Sequence, residues 1–403
     1  MKDLVKNPIG FIALFISLIY GFANSLLATA TLRTPDERSL LILFIVLFPV
    51  VVLGVFYLLI SRHRGKLCAP AHHPIYTENS PQLQPNWRLY AGRLAAGVFF
   101  SALVSAAGAT ESGGGRPVAG TAVNPSAGVV PDQPIMMFNL GLQAVDGNIG
   151  ANKQIPIAGR IAGEAENQYT AESLSLFKVW DTGPGAWHFA SSLTMLFMQS
   201  KVTVQAFVPA APELDRSARV AGLYDLAITP IVAGYHFSKD EHLSLSLRVW
   251  APTGRYVSGK LVNLSQNVWT AIPSLSYTRY LPQGWEVSSV ATLNFSTRNE
   301  ASNYQSAPLF TLDVLGSKKL GDGWAIGAIA GWIEQIGKDS GPLADKLNGF
   351  RGSELAFGPI VTYSSKIGSL PLSSSFRWMN TVSQRDRMDR NTVYLSFSVP
   401  LPQ

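Results

Sequence analysis

Two groups of side chains in the sequence have the types and spacing for chemistry. His236 and Ser238 lie two residues apart, so on any strand they share a face. A barrel phospholipase could align a base and a hydroxyl nucleophile in this way. A nucleophile–base pair also needs a third group to orient the imidazole. None stands at a fixed position nearby, and His188 and His242 are similarly isolated along the chain. The second group is Cys68 with His72 and His73. Their spacing fits no zinc pattern, and the Pro-rich stretch around them supplies no rigid frame. There is no Gly-rich phosphate loop, HExxH or paired-cysteine motif. Cys68 is the single cysteine, which excludes an intramolecular disulfide. The expectation is a protein without catalytic site, cofactor or metal, with a lipid-modifying enzyme as the competing class.

Charged residues within apolar alternation are more informative. In LSLSLRVW, Leu243, Leu245, Leu247 and Val249 alternate with Ser244, Ser246, Arg248 and Trp250, giving one greasy and one largely polar face. Arg248, Glu286, Asp313, Glu354 and Arg377 all fall on the polar parity of such segments. An Arg or Lys facing lipid at mid-membrane costs about 2–4 kcal/mol, so in a barrel these five residues point inward. There they either line a permeation path or pair across a closed lumen, as a non-transporting structural barrel would require.

The elements that must position them follow from the same alternation. About twelve alternating segments run from 136–145 to 392–399, most of them 10 to 16 residues long, as tilted transmembrane strands require. The connections between them alternate long and short: 146–171 then 182–186, 208–222 then 238–242, 251–268 then 281–284. An outer-membrane barrel keeps this rhythm, with short periplasmic turns and long extracellular loops. The fold expected for 135–403 is therefore all-β, a transmembrane antiparallel β-barrel of about twelve strands. Trp180, Trp187, Trp285 and Trp324 fall at short-turn ends, and Trp250, Tyr256, Trp269, Trp332 and Trp378 toward long-loop ends, as two interfacial girdles would.

The N-terminal region reads differently. Residues 9–30 and 40–60 each have the length and apolarity of a membrane-spanning helix. Lys2 and Lys6 before them and Arg62, Arg64 and Lys66 after them place both ends of this hairpin (1–67) in the cytoplasm. A polar linker (68–86) leads to 87–109, where Arg88 and Arg93 precede an apolar run ending in Ala107-Gly108-Ala109. That is the layout of an internal, signal-like helix with cleavage after Ala109. Residues 110–134 are rich in Gly and Pro and without period, a candidate plug for the barrel. Most of the formal charge of +6 resides up to Ala109: nine Lys/Arg against four Asp/Glu there, and 23 against 22 beyond. Basicity beside apolar helices is a topology signal, and no nucleic-acid partner is expected.

The run from Gly222 to Tyr256, with its APTGRY element, resembles the MetA-pathway phenol-degradation family of outer-membrane proteins, also called SphA-like. NLSQNVWTAIPSLSYTRY, KDSG followed by GFRGSELAFGP, and ATESGGGR at the expected mature N-terminus are similar to it as well. The resemblance spans nearly all of 110–403. It implies a barrel in the cell outer membrane, inserted by the outer-membrane assembly machinery, in contact with membrane lipid. The role it implies is passive uptake of aromatic or other small hydrophobic compounds. It also marks Trp250, Pro252, Thr253, Gly254 and Tyr256 as a motif at the extracellular end. Two features depart from the family: the added N-terminal hairpin, and an ending, SVPLPQ, that lacks a final aromatic residue.

Overall fold

The computed structural model describes residues 116–149, 155–157, 160–162, 164–206, 214–346, 349–367 and 370–401. The expected hairpin, linker and signal-like helix, with Ala107 and Ala109, lie outside these residues. β1 (Ile135–Ile149) is followed by a small hairpin, β2 (Ile155–Ile157) and β3 (Arg160–Ala162). Then come β4 (Glu164–Val179), β5 (Trp187–Ala206), β6 (Leu214–Leu223), β7 (Leu226–His236) and β8 (Glu241–Ala251). The remaining strands among the described residues are β9 (Thr270–Leu281), β10 (Trp285–Ser296), β11 (Leu309–Gly321), β12 (Trp324–Gln335), β13 (Ser353–Ile367), β14 (Leu370–Arg385) and β15 (Asp389–Leu401), and a short helix, α1 (Pro342–Lys346), lies between β12 and β13.

Every strand except β2 and β3 belongs to one antiparallel sheet that closes on itself. β1 pairs with β15 on one side and β4 on the other, β4 pairs with β5, and the order then runs on to β15. β6 and β7 share one place in the wall: Phe197–Ala206 of β5 pairs with β6, and Trp187–Thr194 with β7. The wall therefore has twelve staves, one of them interrupted at Tyr224-Asp225. β8 pairs with β7 but not with β6, so beyond the interruption the stave is bordered by the 252–269 loop instead of a strand.

Alternation explains why these segments take this form. In β1 every second residue from Met137 is buried, while Leu142, Ala144, Asp146 and Asn148 are exposed. Large apolar side chains point out, among them Leu174, Leu176, Leu193, Met195, Phe197, Phe357 and Phe376. Hydroxyls point in and bond across strands: Ser175 with Thr194 (2.8 Å), Thr278 with Ser288 (2.7 Å), and Thr292 with Thr311 (2.7 Å). A continuous apolar outer wall over a polar interior inverts the arrangement of a water-soluble domain and suits a lipid surround. Trp180, Trp285 and Trp324 are exposed at the short-turn end and Trp269, Trp332 and Trp378 toward the other, completing two bands.

Trp250 departs from the girdle expectation. It is 2% exposed and faces the lumen with Ser244 and Ser246, so strand parity prevails over its place near the strand end. The Tyr256 hydroxyl accepts a hydrogen bond from Asn299 in the 297–308 loop (3.1 Å). The last long-side connection is tighter than expected. β14 and β15 extend to leave only 386–388 between them. Elsewhere the long loops interlock over the mouth. Asn267 bonds Asn299 (2.8 Å), Gln305 pairs with Ser340, and Asp339 accepts hydrogen bonds from Tyr304 (2.6 Å), Ala307 (2.8 Å) and Gln335 (2.8 Å).

A peptide-filled lumen as the candidate functional site

The segment 116–134 runs through the barrel from end to end. Arg116 and Pro117 sit at the long-loop end: Arg116 donates to Gln266 of the 252–269 loop (2.8 and 3.0 Å), and the Pro117 carbonyl accepts from Arg387 of the 386–388 turn (2.6 Å). Val130 lies at the opposite end, where its carbonyl accepts from His236 (2.8 Å), next to the 237–240 turn. From there Pro134 leads directly into β1. The N-terminal end of this peptide is thus at the long-loop mouth, although the strand it feeds begins at the short-turn mouth.

A peptide crossing a lumen has backbone N–H and C=O groups that need hydrogen-bond partners there. The inward charges do this. Asp313 accepts from the backbone N–H groups of Gly120 (2.9 Å) and Ala122 (2.6 Å). Arg377 donates to the carbonyls of Gly120 (3.2 Å) and Val123 (2.8 Å) and to the side chain of Asn124. Glu286 accepts from the Ser126 N–H (2.5 Å). Glu354 accepts from Arg387 and Arg390 (2.8 Å each) and so orients the guanidinium that reaches Pro117. These are charge-assisted bonds between buried groups, each worth about 1.5–3 kcal/mol. Of the five inward charges expected from parity, the structure brings Glu286, Asp313 and Arg377 onto the peptide directly and Glu354 onto it through Arg387.

The fifth, Arg248, donates to Thr229 (3.3 Å). It lines a small cavity beside the peptide, together with Ser246, Trp250, Ser274, Thr292 and Asn294. This cavity measures about 60 Å³. An apolar cavity that takes up benzene measures about 150 Å³, so a ring-sized molecule does not fit here while the peptide is in place.

Apolar contacts hold the other half of the peptide surface. Ala119, Val123 and Ala127 pack against Val290, Leu315, Ile329, Ile333, Ile360 and Met379 of the wall. Glycine makes the closest approaches feasible. A Cβ on Gly331 would lie 2.0 Å from the Gly120 nitrogen, and one on Gly234 would lie 2.6 Å from Val130. The wall is hollowed at these points to admit the backbone.

The APTGRY element acts on the stave interruption. Asp225 accepts from the backbone N–H groups of Gly254 and Gln266 (3.1 Å each) and pairs with Arg116 (3.5 Å). Thr253 accepts from the Leu226 N–H (2.9 Å), and a Cβ on Gly254 would meet the Leu264 carbonyl at 2.1 Å. Arg116 also lies over the Trp250 ring, 4.2 Å from its centroid. The motif thus ties the broken stave, the long loop and the start of the lumen peptide into one cluster. Pro252 bends the chain between Ala251 and Thr253.

Sequence reasoning missed a histidine cluster. The hairpin register sets His236 opposite His242, and their Nδ1 atoms are 2.5 Å apart. The His188 ring centroid is 4.9 Å from that of His236. With Nε2 donating to Val130, the Nδ1 of a neutral His236 is bare and faces the Nδ1 of His242. The 237–241 spacing contains this signal, since a tight turn there pairs 236 with 242. Both nitrogens of His236 are therefore engaged, and the Ser238 hydroxyl accepts from the Asp240 N–H (3.2 Å). The base–nucleophile alignment considered from sequence is not formed. Among the described residues no cluster of three or more His, Cys, Asp or Glu is arranged to hold a metal ion.

A model of the family described as the MetA-pathway of phenol degradation matches residues 150–397. Among solved structures, an outer membrane channel from Pseudomonas putida F1 is similar at 15% identity and a TM-score of 0.56, over 69% of this chain and 100% of that one. A Pseudomonas aeruginosa FadL homologue is similar at 12% identity, TM-score 0.36, over 74% and 99%. The CymD monoaromatic hydrocarbon channel is similar at 8% identity, TM-score 0.34, over 67% and 89%. Nothing among curated proteins matches the chain.

Proposed function

The chain belongs to the MetA-pathway phenol-degradation family, and from that premise we propose that it is an outer-membrane channel for passive uptake of aromatic or other small hydrophobic molecules. In this reading residues 116–134 form its displaceable plug. The observation that carries the reading is the nature of the obstruction. Among the described residues, the peptide filling the lumen is joined covalently to the wall at β1, and its other attachments are hydrogen bonds, one ion pair, the stacking of Arg116 over Tyr224 and Trp250, and apolar contacts. A permanently closed structural barrel would fill its interior with side chains from its own staves. A twelve-stave barrel is wide enough to leave a path when the peptide withdraws. The 60 Å³ cavity at Arg248 would then become part of that path. The aromatic band and apolar outer wall agree with solubility of the permeant in the same membrane.

Cleavage after Ala109 belongs to the same proposal, because a span fixed in one bilayer cannot readily share a short connection with a barrel in another. N-terminal sequencing of the outer-membrane form tests this, with a start at Thr110 expected and a start at Met1 contrary to it.

For the channel itself, deletion of 113–132 is the direct experiment. Planar-bilayer recordings are expected to show larger or more frequent conductance steps, and cells carrying the deletion faster uptake of an aromatic panel. Unchanged conductance from a correctly folded barrel would remove the segment from the mechanism. Phospholipid hydrolysis by the purified barrel that vanished in His236→Ala would support the lipid-modifying enzyme instead.

A further inference from the structure

The outer surface of the wall is concave over β15, β1, β4, β5 and β6, forming a groove of about 720 Å³. Outward side chains change character along the staves where they cross it. Val393 gives way to Asn391, Ala144 to Asp146, Phe197 to Gln199 and Lys201, and Leu223 to Ala221 and Arg219. In each case the polar end lies toward the long loops. Such a transition marks the lipid–water boundary, where an outward cation becomes affordable.

Two of these residues form an unusual pair. Lys201 of β5 stands directly opposite Arg219 of β6, and both side chains point outward. Like charges facing across a ladder destabilise it. Among the described residues neither is in an ion pair. Gln168, opposite Lys201 on β4, adds amide donors. The nearest outward carboxylates stand to one side of the pair: Glu166 lies on β4 diagonal to Lys201, roughly 7–8 Å away, and Asp146 faces Gln168 from β1, two strand spacings or roughly 10 Å from Lys201. What the pair lacks is an anion between its two cations.

We propose that this groove binds a phosphorylated glycolipid of the leaflet facing the long loops. Its phosphate sits between Lys201 and Arg219, with hydrogen bonds from Gln168 and Gln199. Its acyl chains run down over Ala221, Ala144 and Val393. A phosphate monoester matches two adjacent cations in charge, and Arg219 supplies the forked donor that phosphate favours. The apolar lower half of the groove separates a lipid from a free anion, which would leave that half uncovered. The inference rests on membrane embedding alone, so its failure leaves the channel reading untouched.

The test is native mass spectrometry of the full chain in neutral detergent, equilibrated separately with bisphosphorylated hexa-acyl lipid A and with phosphatidylcholine. Lipid A is expected to be retained and phosphatidylcholine lost. Lys201→Gln with Arg219→Gln should lower lipid A retention about tenfold, the loss of two exposed charge contacts. Lys201→Arg should keep it. Heat-modifiable gel mobility checks folding; if the double variant does not fold, each single variant should still lower retention about threefold. Equal retention by the folded variants overturns the proposal, as does equal retention of phosphatidylcholine. Complete displacement of lipid A by millimolar inorganic phosphate would assign a simple anion site and likewise overturn it.

Discussion

Arg377→Met is the most informative single perturbation of the plug. The guanidinium is fully buried and donates to Gly120, Val123 and Asn124, three acceptors on consecutive turns of the peptide. Methionine keeps much of the volume and none of the donors. Each charge-assisted bond contributes about 1.5–3 kcal/mol, but three bonds from one group are not additive. Breaking one side of a buried charged network costs about 3–5 kcal/mol, because Asp313 and the peptide carbonyls then remain buried with less compensation. The ratio of docked to undocked plug should fall by about two to three and a half orders of magnitude. The assay is thiol protection. Val123 has 0% exposure, so in a Cys68→Ser background a Val123→Cys thiol reacts with a bulky, polar maleimide only when the plug leaves. Its labelling rate should then rise at least about 100-fold in Arg377→Met, up to the ceiling set by a free cysteine. Single-channel steps should grow in parallel. An unchanged labelling rate in a folded barrel would refute the idea that Arg377 holds the plug.

Other outcomes follow from the same geometry. Gly331→Val places a side chain where the Gly120 nitrogen lies, 2.0 Å from the new Cβ, and should displace the plug while the barrel folds, read as raised conductance with unchanged circular dichroism. Glu354→Gln removes the carboxylate between Arg387 and Arg390 and leaves two buried guanidinium groups facing each other, so thermal stability in detergent should fall by about 3–5 kcal/mol. Asp339, in the 336–352 loop, has its carboxyl pushed up by burial to about 7, against the pull of the Tyr304, Ala307 and Gln335 donors. Its folded value lies above the ordinary carboxylate range, so its contribution to loop packing is complete below about pH 4 and is lost as pH rises through about 7. Amide exchange in 297–308 and 336–352 should therefore accelerate beyond the intrinsic rate between about pH 4 and 7 and show no further excess above that, and Asp339→Asn should abolish the excess.

The barrel itself was legible in the sequence because its cause is local. Side-chain direction alternates with every residue, so Leu243 to Trp250 reveals which side chains point out before any partner strand is known. Loop rhythm then supplied the closure and the number of staves. The same parity sent Arg248, Glu286, Asp313, Glu354 and Arg377 inward, and correctly grouped Trp250 with Ser244 and Ser246 where the aromatic-girdle expectation had put it outside. What those charges meet was not legible. Asp313 accepts from residues 193 and 191 positions away, and Arg377 donates across separations of 253 to 257. No period or motif encodes such distances. They arise only when closure brings every inward side chain to one axis, and a peptide with unsatisfied backbone groups lies along it. The His236–His242 pair, the stave broken at Tyr224-Asp225 and the Lys201–Arg219 pair are likewise products of register. Register is set by how neighbouring strands slide until turns, bulges and buried faces agree, and that agreement is a property of the assembled wall rather than of any one segment.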